Sequence, residues 1–204
     1  MIIEMATCEE DLLSMRRIRR QVFEYEMGLA LPALIAPGGA AAAHVIARVE
    51  LTGEPVAALT VVDTTGEADL REQYGLHLRP DARTARYTQL AVSKPYRGMN
   101  LPLKLILKAH YHFVAPGEFT HTWLLFDAKR AANSSLCARL GFSASERVFR
   151  SQYGINRILV RDERSAFCEQ AIRQTQQYLS AGAQKNGHNS HFMGVGATQS
   201  HLFR

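Results

Sequence analysis

The sequence predicts an α/β fold built on one mixed central sheet flanked by helices, with an extra C-terminal helix and a tail. Three observations carry that prediction. Short β-type runs and amphipathic helical runs alternate irregularly over residues 1–161, so parallel and antiparallel pairings are both expected. The 204 residues are 47% hydrophobic and 21% charged, which suffices for one substantial core. Beyond residue 182 the periodicity gives way to a stretch rich in Gly, Asn, Ser and His.

Residues 2–6 read as a short strand and residues 9–25 as a helix. Leu12, Leu13, Met15, Ile18, Val22 and Phe23 fall mostly on one face of that helix, and Arg16, Arg17, Arg19 and Arg20 on the other. A solvated basic face is the plain reading of these arginines; anion binding, with Arg20 in reserve, is the alternative. Residues 31–43, LPALIAPGGAAAA, carry two prolines and two adjacent glycines, a pliable loop suited to covering a site. Residues 44–51 and 55–63 are β-type runs separated by Thr52-Gly53-Glu54, the spacing of an antiparallel hairpin. Residues 68–74 add one or two helical turns.

From residue 86 the pattern sharpens. YTQLAVS is a strand, KPYRGMN a turn and LPLKLILKAHYHF an amphipathic helix, with Pro102 in the first turn where a missing N–H costs little. Residues 121–127 form a strand and residues 129–140 a helix stopped by Gly141. Residues 147–152 and 155–161 form a hairpin around Tyr153-Gly154. Asp162 is the expected N-cap of a helix over 162–181, whose stripe of Phe167, Ala171, Ile172 and Tyr178 serves packing or a homodimer contact. Residues 182–204 are expected to be a flexible tail.

Composition removes several classes of function. No run approaches the roughly 18 apolar residues of a membrane helix, and the N-terminus turns acidic before a signal-peptide core develops, so a cytoplasmic protein without a membrane span is expected. Cys8, Cys137 and Cys168 lie far apart without a CxxC pair, and His188, His191 and His201 have no carboxylate or thiol beside them, so no metal site is expected. The net charge of +5 suits a polyanion, either nucleic acid or a phosphorylated cofactor. The basic helix lacks aromatic interleaving, so nucleic acid is not expected.

The chemistry concentrates in residues 90–103. A strand that turns directly into a helix aims unpaired N–H groups and the positive end of the helix dipole at whatever lies over the turn. Gly98 permits close backbone approach there, while Lys94 and Arg97 add charge. This is a phosphate seat.

Leu90-Ala91-Val92 followed by Tyr96-Arg97-Gly98, with Leu136-Cys137-Ala138-Arg139-Leu140-Gly141-Phe142 downstream, resembles the GNAT N-acyltransferase superfamily in residues and spacing. Arg20-Gln21-Val22-Phe23, then Glu26, then His44, is similar to the branch holding acyl-homoserine lactone synthases and N-acyl amino acid synthases. The resemblance spans residues 1–161. It implies the GNAT fold, in which the strands at 86–93 and 121–127 splay apart and a pantetheine arm lies in the opening. It implies that Leu90, Ala91 and Val92 pair with the pantetheine amides, and that Arg97, Gly98, Met99, Asn100, Leu101 and Leu103 receive the pyrophosphate. The donor would be acyl-CoA or the phosphopantetheine of an acyl carrier protein, and the acceptor a small-molecule amine attacking the thioester directly.

The sequence also departs from the family pattern. Asn100 and Pro102 replace two small residues of the turn; Asn tolerates left-handed angles, whereas Pro102 lacks a donor. Cys137 stands where many relatives carry a tyrosine acid, and reads either as that acid or as a small buried side chain. The strand before Leu90 offers Gln89 where the family often supplies a glutamate, leaving Glu24 and Glu26 as the nearest substitute bases and His44, His110, His112 and His121 as further options. Cys137, Glu26 and Gln89 are therefore the candidate catalytic residues. Two alternatives stay open: a long-chain N-acyl amino acid or acyl-homoserine-lactone-like synthase, with residues 31–43 lining a tunnel, and a GNAT-derived binding module without catalysis.

Overall fold

The computed structural model describes residues 1–29, 42–67, 78–79, 81–127, 137–151 and 154–189. Strands β2 (Ala42–Arg48) and β3 (Pro55–Asp63) consist largely of small and β-branched apolar residues buried along most of their length. Such runs suit strands covered on both faces. They pair antiparallel, and β1 (Ile2–Met5) and β4 (Thr84–Val92) extend the unit antiparallel on either side. Strand β5 (His121–Asp127) then lies parallel to β4. It pairs antiparallel with β7 (Gly154–Asp162), which pairs antiparallel with β6 (Ser143–Ser151). The sheet order is β1-β2-β3-β4-β5-β7-β6, the mixed sheet that the sequence predicts.

Helix α1 (Glu9–Arg19) covers one face of β2–β4, packing Met15 and Ile18, with Val22 just beyond its end, on Ile46, Ala58 and Ala91. It continues as a wider π-helical segment, Arg20–Glu26. Helix α2 (Leu101–Ala109) covers the opposite face through Leu101, Leu103, Leu105, Ile106 and Leu107, all part of the main core. Helix α3 (Ala166–Asn189) joins that core through Cys168 and Ile172.

Several elements differ from the sequence expectation. Arg19 is 2% exposed instead of solvated, because Met15, Ile18, Arg19 and Val22 share the i, i+3, i+4, i+7 spacing of the buried stripe. Arg20 is the exposed neighbour, paired with Glu24 at 3.4 Å. Ser165, not Asp162, caps α3: its Oγ accepts the Cys168 N–H at 3.1 Å, while Asp162 Oδ1 accepts the N–H of Arg164. The buried stripe of α3 is Cys168, Ala171, Ile172 and Thr175; Phe167 and Tyr178 are exposed. Its backbone stays helical through Asn189, past the tail boundary expected at 182. Ala42 and Ala43, expected in a loop, begin β2. The rest of that loop, the turns at 68–74, residues 129–136 and residues 190–204 lie outside the described residues.

The helix expected to stop at Gly141 does end there. Gly141 has φ +80°, its N–H donates to the Ala138 carbonyl, and the Phe142 N–H donates to the Cys137 carbonyl. These two bonds make a Schellman cap, which needs a left-handed residue at the glycine position.

Candidate active site

Hydrogen bonding opens the sheet at its centre. Strands β4 and β5 pair only from Thr84↔His121 to Tyr87↔Leu124, although β4 continues to Val92 and β5 to Asp127. Beyond Tyr87 each strand stays bound on its outer side, β4 to β3 as far as Val92↔Ala57 and β5 to β7 as far as Asp127↔Asn156. Two paired walls therefore diverge around the segment Leu90-Ala91-Val92. Ser93 N–H donates to the Val56 carbonyl, so antiparallel alternation turns the backbone polar groups of Val92 away from β3 and toward the opening. Exposed strand edges of this kind accept an extended partner by backbone pairing.

The opening begins at a β-bulge. The β3–β4 register skips between Ala58↔Ala91 and Thr60↔Thr88, so Gln89 and Leu90 together face Leu59. Gln89 takes φ +53°, a left-handed angle that is uncommon for a residue with a side chain.

Past Val92 the chain makes a 3-10 turn, Lys94–Tyr96, and enters α2. Gly98 has φ +92°, and Asn100, the N-cap of α2, has φ +56°, so asparagine does sustain the turn where the family pattern has a small residue. The first turn of α2 offers the N–H groups of Leu101 and Leu103, with the donorless Pro102 between them. Their side chains are buried at 0% and 1% exposure, so these residues can present only backbone to a ligand. Met99 is exposed over the turn.

Arg97 is held twice. Its Nε donates to the Val92 carbonyl at 3.1 Å, and its Nη2 is ion-paired with Glu26. Glu26 thus braces the turn before α2 from the end of the α1 extension. The ion pair places the candidate base Glu26 beside the turn that precedes α2.

A buried polar cluster lies on the α1 face of the bulge. His44, Thr60 and Thr88 are successive cross-strand partners and so share one sheet face. Arg19 Nη2 donates to Thr60 Oγ1 at 2.6 Å, Thr60 Oγ1 and His44 Nδ1 are 2.8 Å apart, and Arg19 Nε donates to the Gln89 carbonyl at 3.2 Å. Among the described residues no carboxylate pairs with Arg19, and burial brings its guanidinium down to about 10. Burial and the Arg19 charge lower the His44 pKa further below the ordinary 6.5, leaving it neutral at pH 7. Its Nε2 is buried without a hydrogen-bond partner among the described residues. Gln89 thus enters the site through its backbone carbonyl.

Cys137 lies elsewhere. It is 5% exposed in the main core, and burial pushes its thiol up to about 12. It packs as a small apolar side chain. A second buried network surrounds Arg161, which is 1% exposed. Arg161 donates to Glu163 Oε1 at 2.7 Å, to the Leu140 carbonyl at 3.0 Å and to Tyr87 Oη at 3.2 Å. Thr122 also donates to Glu163, and His110 Nδ1 lies 3.4 Å from its Oε2. Burial raises the Glu163 pKa, but the His110 hydrogen bond and the charge and bonds of Arg161 outweigh it and hold the carboxyl at about 2. These groups clamp β4, β5, β7, α2 and the capped helix end below the opening.

No family model matches the sequence, and no curated protein is similar to it. Solved structures are. An acyl-CoA N-acyltransferase from Pseudomonas aeruginosa is 18% identical with TM-score 0.56, over 78% of this chain and 97% of that one. FeeM, an N-acyl amino acid synthase from uncultured soil microbes, is 12% identical with TM-score 0.55, over 78% of this chain and 88% of that one. BjaI, a CoA-dependent acyl-homoserine lactone synthase solved with SAM and isopentyl-CoA, is 13% identical with TM-score 0.59, over 82% and 83%. The chain has the GNAT fold. In GNAT terms the diverging strands are β4 and β5, and the turn 93–100 leads into the helix below them. No described helix is long and apolar enough to cross a membrane.

Proposed function

We propose that this GNAT-fold protein is an N-acyltransferase that moves an acyl group from a coenzyme A or acyl carrier protein thioester to the amine of a small molecule. The observation that carries the reading is the opening between β4 and β5, with the backbone edge of Leu90, Ala91 and Val92 on one wall and the α2 N-terminus beneath. The pantetheine arm adds to β4 as a further strand would, through Leu90, Ala91 and Val92. The pyrophosphate sits over residues 97–103, against Arg97 and the N–H groups of Gly98, Met99, Asn100, Leu101 and Leu103.

The amine nitrogen attacks the thioester carbonyl, a C–N bond forms, and the carbonyl electrons move onto oxygen. Collapse of that tetrahedral species breaks the C–S bond; the amine proton leaves to solvent, and the thiolate departs. An amine of low pKa, already neutral when it binds, needs no strong base, which fits the ion-paired Glu26 and the core-packed Cys137. A strand N–H holds the oxyanion.

The likeness to FeeM, an N-acyl amino acid synthase, and BjaI, an acyl-homoserine lactone synthase, favours a second reading, a long-chain N-acyl amino acid or acyl-homoserine-lactone-like synthase. Donor preference separates the two. Acetyl-CoA, octanoyl-CoA and an octanoyl carrier protein are each offered with a mixture of amino acids and simple amines, and amide formation is followed by mass spectrometry. Amide from any thioester supports acyl transfer, and the best donor identifies the class. No amide from any of them refutes catalysis and leaves a binding module.

A further inference from the structure

Among the described residues, the buried Arg19 is a cation that no carboxylate answers. It is 2% exposed and has neutral acceptors, the Thr60 hydroxyl and the Gln89 carbonyl, with no carboxylate paired to it among the described residues. Burying a cation against neutral groups alone destabilises a resting protein, and a long apolar side chain would fill the same space without that cost. A buried, preorganised cation is instead complementary to a negative charge that appears only transiently.

The bond to Gln89 says where that charge would appear. Gln89 and Leu90 share one peptide unit, which is trans, so the Gln89 carbonyl and the Leu90 N–H point in opposite directions. Arg19 holds the carbonyl on the α1 side, at the residue whose left-handed angle forms the bulge. The Leu90 N–H is thereby turned away from α1, three residues beyond Tyr87, the last residue of β4 that pairs with β5. A cation on the carbonyl end of a peptide also polarises the unit and strengthens its N–H as a donor.

We propose that Arg19 is a positioning residue for acyl transfer: through the Gln89 carbonyl it fixes the bulge and polarises the Leu90 N–H toward the thioester oxygen. The inference rests on the acyl-transfer reading and adds to it a residue that acts through the backbone. Thr60 holds the second arm of the guanidinium, and His44, neutral on the far side of Thr60, adds no competing charge.

The test compares wild type with Arg19→Met, using acetyl-CoA or whichever thioester proves active, and has three readouts. Donor affinity by calorimetry is expected to change less than threefold, and kcat to fall on the order of 10- to 100-fold with KM for the donor nearly constant. In wild type the infrared carbonyl stretch of bound, 13C-labelled thioester is expected below its value in water, and in Arg19→Met back toward it. Wild-type kcat in a folded Arg19→Met, or a kcat loss matched by an equal loss of donor affinity, overturns the proposal. The wild-type infrared shift needs no variant to fold, and its absence overturns the proposal as well. Failure of the wild type to bind any thioester would instead overturn the acyl-transfer reading, and this inference with it.

Discussion

Replacing Arg161 by methionine is expected to destabilise the protein by about 3–5 kcal/mol, the cost of leaving one member of a buried ion pair without its partner. The magnitude follows from what remains. Among the described residues Glu163 would keep Thr122, His110 and Cys168, while the Leu140 carbonyl and Tyr87 hydroxyl would lose the Arg161 donor. For a domain of this size the change amounts to roughly 6–20 °C in Tm. Urea unfolding followed by circular dichroism at pH 7 gives the difference directly. The double variant Arg161→Met, Glu163→Gln, which removes both charges, is expected to recover more than half of the loss. The sign of the acid dependence follows as well. The folded Glu163 carboxyl lies at about 2 against an ordinary 4.5, so its contribution, on the order of 3 kcal/mol, is complete above about pH 4.5 and lost as pH falls toward 2. Wild type should therefore lose stability over that window, and the double variant should lose less. An Arg161→Met protein within about 1 kcal/mol of wild type would refute the reasoning, because the charge would then be neither buried nor needed.

Glu26→Gln frees Arg97 from its carboxylate partner and is expected to lower KM for a coenzyme A donor a few-fold with kcat unchanged; a kcat loss of roughly 100-fold in steady-state kinetics would restore Glu26 as the base. Cys137→Ala is expected to leave kcat within about twofold while costing about 1 kcal/mol in denaturant melts, and a kcat loss without a stability loss would make the thiol an acid after all. Gly141→Ala places a Cβ at φ +80° and 3.3 Å from Ala171 Cβ, and is expected to cost about 1–2 kcal/mol, checked by thermal unfolding; an unchanged Tm would mean that the cap relaxes at no cost.

Much of the fold was legible because the core strands obey simple rules. Residues 55–63 and 121–127 are mostly apolar, β-type runs between turn signals, and their observed bounds, Pro55–Asp63 and His121–Asp127, are the expected ones. Pro102 and Gly141 marked a helix start and a helix stop through backbone constraints that tertiary structure does not override. The polar interior was less legible. Arg19 was expected in solvent because it sits among four arginines, yet its spacing from Met15, Ile18 and Val22 puts it on the buried stripe; helical position was the better guide than residue type. The ion pair of Glu26 with Arg97 joins residues 71 positions apart, and the clamp of Arg161 on Tyr87 residues 74 apart. No local pattern encodes such contacts. The bulge at Gln89 was hidden because a left-handed residue within a strand carries no signal when it is not glycine or asparagine.

The most direct test of the central claim is a crystal structure with a coenzyme A thioester bound. The account predicts the pantetheine amides paired with the β4 edge at Leu90, Ala91 and Val92, and the pyrophosphate over residues 97–103 at the start of α2. A thioester bound elsewhere on the protein, with the opening between β4 and β5 empty at millimolar donor, would contradict it.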